Sequence, residues 1–451
     1  MHRSAEQLRS DALSIWHAGV AAVRSDVLVR AAMRVDGQRL VIEGESIDLA
    51  AVDRIVVVGA GKAGAGMAAA VEEVFGPQWL ENGRLDGWVN VPADCVRPLE
   101  RIHLHAGRPP GVNEPRPEGA AGANEILRLV RSAGPRDLVL CLISGGGSAL
   151  LPAPADGITL DDKLAVTRLL SAAGATIDEL NTVRKQLSRI KGGGLARACR
   201  AGRLVSLIIS DVLGDPLNLI ASGPTVPDDS TPEQALEILT RFGARKGGIS
   251  PGVFALLESK SKQPHQEPSG CRVNNAIIGN NARAVDAAGT RAEQLGYSHA
   301  MVSATRSEGL AEDVGRHLAD MAVRMRDQAG PNCLISGGEP VVQLAETSHR
   351  GKGGRNQQLV LAALERLWED GAHSIVVLSG GTDGEDGPTD AAGAWFDAEL
   401  LAAAKEKQLR PAEYLARNDA YHFFEPLEGL IVTGPTHTNV CDLRVVLVDR
   451  E

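Results

Sequence analysis

Three apolar runs in this chain end the same way: Leu142-Ile-Ser-Gly-Gly-Gly-Ser148, Leu334-Ile-Ser-Gly-Gly-Glu339 and Leu378-Ser-Gly-Gly-Thr-Asp383. A fourth, Ile208-Ile-Ser-Asp211, closes on serine and a carboxylate, and a fifth, Arg54-Ile-Val-Val-Val-Gly59, on glycine. A continuous β-branched run that breaks at glycine is a strand buried on both faces, the kind that parallel sheets use. In open α/β sheets ligands bind beyond the carboxyl ends of the strands, and glycine there frees backbone N–H groups to face an anion. This repeated ending limits the chain to α/β architecture with ligand chemistry at strand ends.

The segments between the strands agree. Helical spacing marks Ser4–Met33, Ala120–Arg131, Leu160–Ala173, Pro232–Arg241, Asn281–Leu295, Leu310–Arg326 and Gln357–Asp370, alternating with strands at 138–143, 204–209, 333–335, 375–378 and 430–432. At 451 residues the chain is long enough for two domains. Periodicity stops at Ser259–Gly270, so the expected division is a domain over 1–255 and a second over 270–451.

Composition excludes several functions. The formal charge is −10, with 14 aromatic residues (5 Trp, 3 Tyr, 6 Phe) and no basic face interleaved with them, which argues against nucleic acid as a partner. Any anion site must be a local basic pocket. The six cysteines are scattered without a CxxC pair, as expected of a reducing compartment; Cys141 and Cys333 fall in apolar runs and are expected as buried thiols. The N-terminus lacks an apolar signal region and no 18-residue apolar stretch occurs, so the expectation is a soluble, cytoplasmic protein with no membrane partner.

Four motifs carry chemistry. Gly59-Ala-Gly61-Lys62-Ala-Gly64 fits the dinucleotide fingerprint, but the acidic residue expected about 20 positions later is not clearly placed, since Asp94 comes too late. Lys62 instead adds a cation at a helix N-terminus and favours a phosphate or carboxylate ligand. The segment 181–194 holds Arg184, Lys185, Arg189 and Lys191 and then Gly192-Gly193-Gly194, with Arg184 and Lys191 on one helical face. Asp211 and Asp215 stand at a strand end as a general base, as Mg²⁺ ligands or as turn-formers. Gly351-Lys-Gly-Gly-Arg355-Asn356-Gln357 opens a helix with two cations and is an anion receptor in kind; Arg355 supplies a planar fork, and the two amides suit a sugar or base edge. No Walker, protein-kinase, HExxH or GxSxG pattern is present.

Taken together, VVGAGKAG (57–64), LISGGGSALLPAP (142–154), LNTVRKQLSRIKGGGLA (180–196), ISDVLGDP (209–216), IASGPTVPD (220–228), GKGGRNQQL (351–359), LSGGTDGEDGPTDAAGA (378–394) and GPTHTNVCDL (434–443) resemble the glycerate 2-kinase family with a C-terminal MOFRL domain, in order and over nearly the whole chain. The resemblance implies a Rossmann-like N-terminal domain with a mostly parallel sheet, a smaller α/β C-terminal domain, and an active-site cleft between them. It further implies phosphorylation of D-glycerate at the 2-hydroxyl with ATP and Mg²⁺. A homodimer is left open, and the alternatives are an NAD(P)H-dependent hydroxypyruvate reductase or a non-catalytic binding protein. Phosphoryl transfer asks the protein for positioning and charge neutralisation. On that basis the expected catalytic residues are Lys62, Asp211 and Arg355. Phosphate binding is expected from Ser144, Gly145, Gly146, Gly147, Ser148, Lys191, Gly192, Gly193, Asn356, Gln357, Gly381 and Thr382. Substrate binding is assigned to Gly61, Lys62, Arg184 and Arg355, and the metal to Asp215 or Asp383.

Overall fold

The computed structural model describes residues 3–112, 114–262 and 270–450. These form two compact units: a parallel-sheet unit of 28–209 and 216–278, and a mixed-sheet unit of 1–27, 210–215 and 279–451. The division therefore differs from the expected 1–255 and 270–451. The first helix belongs with the C-terminal part, and most of the expected linker (263–269) lies outside the described residues.

The parallel-sheet unit begins with a small antiparallel meander, β1 (Met33–Asp36), β2 (Arg39–Ile42) and β3 (Glu45–Asp48). Its main sheet is built from β4 (Ile55–Ala60), β5 (Leu85–Pro92), β6 (Ile102–Arg108), β7 (Leu138–Ile143), β8 (Arg203–Ile209) and β9 (Arg272–Gly279), in the spatial order β6-β5-β4-β7-β8-β9. The pairs β4–β5, β4–β7, β5–β6 and β7–β8 are parallel. This is the doubly wound order in which the chain starts in the middle, builds one way and then reverses. β4 and β7 are buried at every position, which is why both read as unbroken apolar runs. The reversal falls between them, so the loop after β4 and the loop after β7 emerge side by side.

The mixed-sheet unit contains β10 (His299–Ser303), β11 (Cys333–Gly338), β12 (Ile375–Gly381), β13 (Gly393–Phe396), β14 (Leu430–Ile431) and β15 (Asp442–Val448), ordered β10-β11-β15-β12-β13-β14. Among the described residues only β10–β11 is parallel in this sheet; β15 runs antiparallel between β11 and β12, in register Gly338↔Asp442 and Gly381↔Asp442. Thus the start of β15 delivers Asp442 to the carboxyl ends of both SGG strands.

The helix Ala5–Ala22 places Leu8, Ala12, Ile15, Trp16 and Val20 in the core of this unit. Trp16 is fully buried and lies against Gly380, where an added Cβ would meet the indole at 2.9 Å. No single helix among the described residues is long and apolar enough to cross a membrane. Trp16→Ala should empty this contact and destabilise the unit by about 3–5 kcal/mol, read as a lower urea midpoint. An unchanged midpoint would mean that the helix is not part of the core.

Candidate active site

In the parallel-sheet unit the site grows from the reversal point. Gly61 has φ +148°, and a Cβ there would sit 2.0 Å from Ser144 Oγ and 2.7 Å from the Ser144 carbonyl, so only glycine lets the two loops meet. The contact is locked by hydrogen bonds: Ser144 N–H to the Ala60 carbonyl (3.1 Å), Ala63 N–H to Ser144 Oγ (3.1 Å) and Lys62 N–H to the Gly145 carbonyl (2.9 Å). Ser144 is therefore a buried clamp and not an exposed phosphate ligand, which corrects its expected role. The Lys62 stem lies 3.6 Å from the ideal Cβ position of left-handed Gly146, with Arg108 Nη2 at 3.2 Å from the same point. The N–H groups of Gly145 and Gly146 donate to no described residue. The Gly147 N–H is turned back to the Ser144 carbonyl.

Lys191 is almost wholly buried, and its Nζ donates to the Ser148 carbonyl (3.0 Å), Ser148 Oγ (2.8 Å) and Ser222 Oγ (3.2 Å). Ser222 Oγ in turn donates to Asn181 Oδ1 at 3.3 Å. Ala221 (φ +50°), Ser222 (φ +61°) and Gly223 (φ +59°) are three successive left-handed residues, a costly backbone that sets the Ser222 hydroxyl against Lys191. Burial, followed by Arg184 and then Lys163, pushes the Lys191 ammonium well below its usual pKa. The glycines after it do not form the expected cradle. Gly192 N–H is bonded to the Ser222 carbonyl and Gly193 N–H to the Gly223 carbonyl, so both are committed to holding the loop.

In the mixed-sheet unit the centre is Asp442, fully buried and gripped by the Arg355 fork: Nε to Oδ2 at 2.7 Å and Nη2 to Oδ1 at 2.9 Å. Arg355 Nη1 also reaches Glu339 Oε1 at 2.9 Å. Burial alone would lower the Arg355 pKa, but Asp442 and Glu339 outweigh it and raise it. The expected free phosphate fork is thus largely engaged by carboxylates of its own unit. A third of the side chain stays exposed, with two N–H bonds left for a ligand.

The two amides are corrected as well. Asn356 donates to Asp386 (3.2 Å) and Asp442 (3.0 Å) and accepts from Ser379 (2.6 Å), while Gln357 is buried with its amide on Thr389 (2.9 Å). The helix Arg355–Arg366 is not an open anion receptor, because Asp386 accepts from its Asn356 and Gln357 N–H groups at 3.0 and 2.8 Å. Thr382 is buried on the Cys441 carbonyl (2.7 Å), and Gly381 N–H is spent on the Ala392 carbonyl. These hydrogen bonds hold the loop together.

Of the proposed metal ligands, Asp215 accepts from Asn280 at 2.6 Å in a left-handed turn, as turn chemistry predicts. Asp383 lies near enough to Glu339 to add to the rise in that carboxyl's pKa, which comes first from burial. The Asp211 carbonyl accepts from Cys441 Sγ at 3.1 Å; burial first, then the Glu339, Asp442 and Asp211 carboxylates, raises the Cys441 thiol. No group of three or more His, Cys, Asp or Glu set for a metal is found among the described residues. All six cysteines are free, with Cys141 and Cys333 buried as expected.

Reading the sequence missed Glu339, Asp386, Asp442, Ser222, Asn181 and Arg108. Glu339 and Asp386 lie inside quoted motifs and were legible as extra carboxylates; Asp442 became visible only once β15 was placed. A reductase reading meets an obstacle at the end of β5. There Asn90, which stands where a ribose-binding acid belongs, spends its amide on Gly119 (3.2 Å) and Leu150 (2.8 Å).

Two predictions follow from the acidic centre. Arg355→Ala strands the buried Asp442 charge and should lower stability by about 3–5 kcal/mol, with Arg355→Lys restoring only part because the fork is lost. Wild-type stability in both variants, measured by urea unfolding, would remove the pair from the core. Burial pushes the Asp386 carboxyl up to about 7. Between the usual carboxylate range of about 4 and that value the native state holds more protons than the unfolded one, so the contribution of Asp386 to stability should fall as pH rises across this window. Asp386→Asn should flatten the slope of the unfolding midpoint over that window, and an unaltered slope would refute it.

Comparison with known proteins agrees with the geometry. Residues 11–258 match the family described as a domain of unknown function (DUF4147), and residues 332–442 match the MOFRL family. Glycerate kinase of Homo sapiens is 37% identical over 504 residues, covering 99% of this chain and 94% of that one. A putative hydroxypyruvate reductase of Agrobacterium vitis is 40% identical over 402 residues, covering 88% and 99%. The crystal structure of glycerate kinase from Thermotoga maritima superposes with a TM-score of 0.83 at 32% identity, over 98% of this chain and 100% of that one. With likeness of this extent in sequence and fold, the chain belongs to the glycerate kinase family.

Proposed function

We propose that this protein transfers the terminal phosphoryl group of ATP to the 2-hydroxyl of D-glycerate, giving 2-phosphoglycerate. The observation that carries this reading is the packing of Lys62 onto the Gly145-Gly146 loop, whose two N–H groups donate to no described residue. A cation beside open amides at a strand-end reversal suits a phosphoryl group passing from donor to acceptor. Lys62 is assigned to the charge that develops on the transferred group, and Lys191, set by Ser148 and Ser222, to phosphate already bound. Asp211 is assigned to the substrate hydroxyl, accepting its proton as the new P–O bond forms. The 2-hydroxyl is adjacent to the carboxylate, so a cation that anchors the carboxylate presents that hydroxyl first.

Magnesium takes one or two carboxylates and completes its shell with phosphate and water. Asp383 and Glu339 fit that donor set. Burial first, then Asp442 and last Asp383, raises the Glu339 carboxyl, and a cation beside it would favour its charged form; Asp215, committed to Asn280, does not fit. When bound, the metal neutralises phosphate charge. We place the enzyme in the cytoplasm on the same reading.

Incubation with ATP, Mg²⁺ and D-glycerate should yield a product that enolase consumes directly. A product that needs a phosphoglycerate mutase first would overturn the 2-position, and glycerate-dependent NADH formation without ATP use would overturn the kinase. EDTA should abolish turnover, and Mg²⁺ should restore it. Lys62→Ala should lower kcat by about 100-fold or more while moving the KM for ATP less. A change in KM alone would make Lys62 a ground-state binding group.

A further inference from the structure

The helix Leu160–Ala172 packs Val166 and Leu170 against Val183 and Leu187, which lie on and just after the helix Ile177–Gln186. Lys163 continues that stripe one turn earlier, where an apolar residue belongs. It is only 9% exposed, and its Nζ has no hydrogen-bond partner among the described residues. A buried ammonium left without a partner is costly, and proteins normally pair it.

Two further cations of this unit lack a counter-charge. Arg184 makes no ion pair or hydrogen bond through its side chain among the described residues, and Lys191 is bonded only to neutral oxygens of Ser148 and Ser222. The other basic residues of the same segment are accounted for. Lys185 pairs with Asp228 at 3.2 Å, and Arg189 donates to the Pro154 carbonyl (2.8 Å) and to Asn124. The segment that reads in sequence as one basic run is thus divided by the fold into residues with partners and residues kept without a counter-charge.

Arg184 bears on both lysines, and Lys163 bears on Lys191. Burial and then Arg184 lower the Lys163 ammonium to about 7, and burial followed by Arg184 and Lys163 lowers Lys191. Arg184 is lowered by burial. The other charged groups felt by Lys163, Lys260 and Arg189, are cations too, so nothing in its surroundings restores its charge.

We propose that Lys163, Arg184 and Lys191 form one polyanion subsite that receives the phosphate chain of the nucleotide. This rests on the kinase reading above and deepens it. The count of charges selects the ligand: a glycerate carboxylate offsets one cation, whereas a triphosphate offsets all three. Neutral Lys163 in the empty protein would take up a proton as the anion arrives.

Isothermal titration of the full chain with ATP, with inorganic tripolyphosphate and with D-glycerate tests this, run at about pH 8 in two buffers of unlike ionisation heat. The expected result is tight binding of both polyphosphates with proton uptake. Lys163→Gln should weaken both by about tenfold or more and remove the uptake, while the KM for ATP rises and that for glycerate holds. Unchanged polyphosphate binding in Lys163→Gln overturns the subsite, as does a loss confined to glycerate. If that variant fails to fold, Arg184→Gln is read by the same heats and the same criteria. A wild-type protein that binds tripolyphosphate through Lys163 but turns over no ATP with glycerate would sink the kinase reading and leave the anion subsite standing.

Discussion

The parallel-sheet unit depends on one close approach, Gly61 against Ser144. Strand order reverses between β4 and β7, so their two loops leave adjacent strand ends and must share the same space. With a Cβ at Gly61 falling 2.0 Å from Ser144 Oγ, the loops fit only because one of them carries no side chain. Once they meet, the Ser144 hydroxyl and the Gly145 carbonyl hold the first loop, and the Gly145 and Gly146 N–H groups donate to no described residue. The open amides of this loop are a by-product of backbone packing, with the Lys62 stem beside them.

The mixed-sheet unit solves a different problem. Antiparallel β15 enters between two SGG strands and carries Asp442 into a fully buried place. A lone carboxylate there would be prohibitively desolvated, so Arg355 grips it with two bonds and Asn356 adds a third. Asp386 is likewise buried but is satisfied by two backbone N–H groups at a helix start. Here charge is brought in with its partners.

The contrast between the units separates architecture from ligand chemistry. Carboxylates of the mixed-sheet centre come with partners, and removing one leaves another stranded. Lys163, Arg184 and Lys191 come without an opposite charge, and the fold bears the desolvation of all three. Perturbed, uncompensated charges of this kind cluster at functional sites.

The sequence by itself determined the α/β class, the strands from β4 to β12 that end in glycine, most helices and the loops that follow SGG. These follow from periodicity and from the unique freedom of glycine, both local properties. It also supplied the inventory of cations and carboxylates. Only the tertiary structure decided that Trp16 at the chain start closes on Gly380, that β15 separates β11 from β12, and that Arg355, Asn356, Gln357 and Thr382 are tied to partners far along the chain. It alone distinguished Lys185, paired with Asp228, from Arg184 one position earlier. The physical reason is that a charged residue's role is set by whether an opposite charge reaches it. That is fixed by how distant segments pack, while spacing along the chain fixes only which face it starts from.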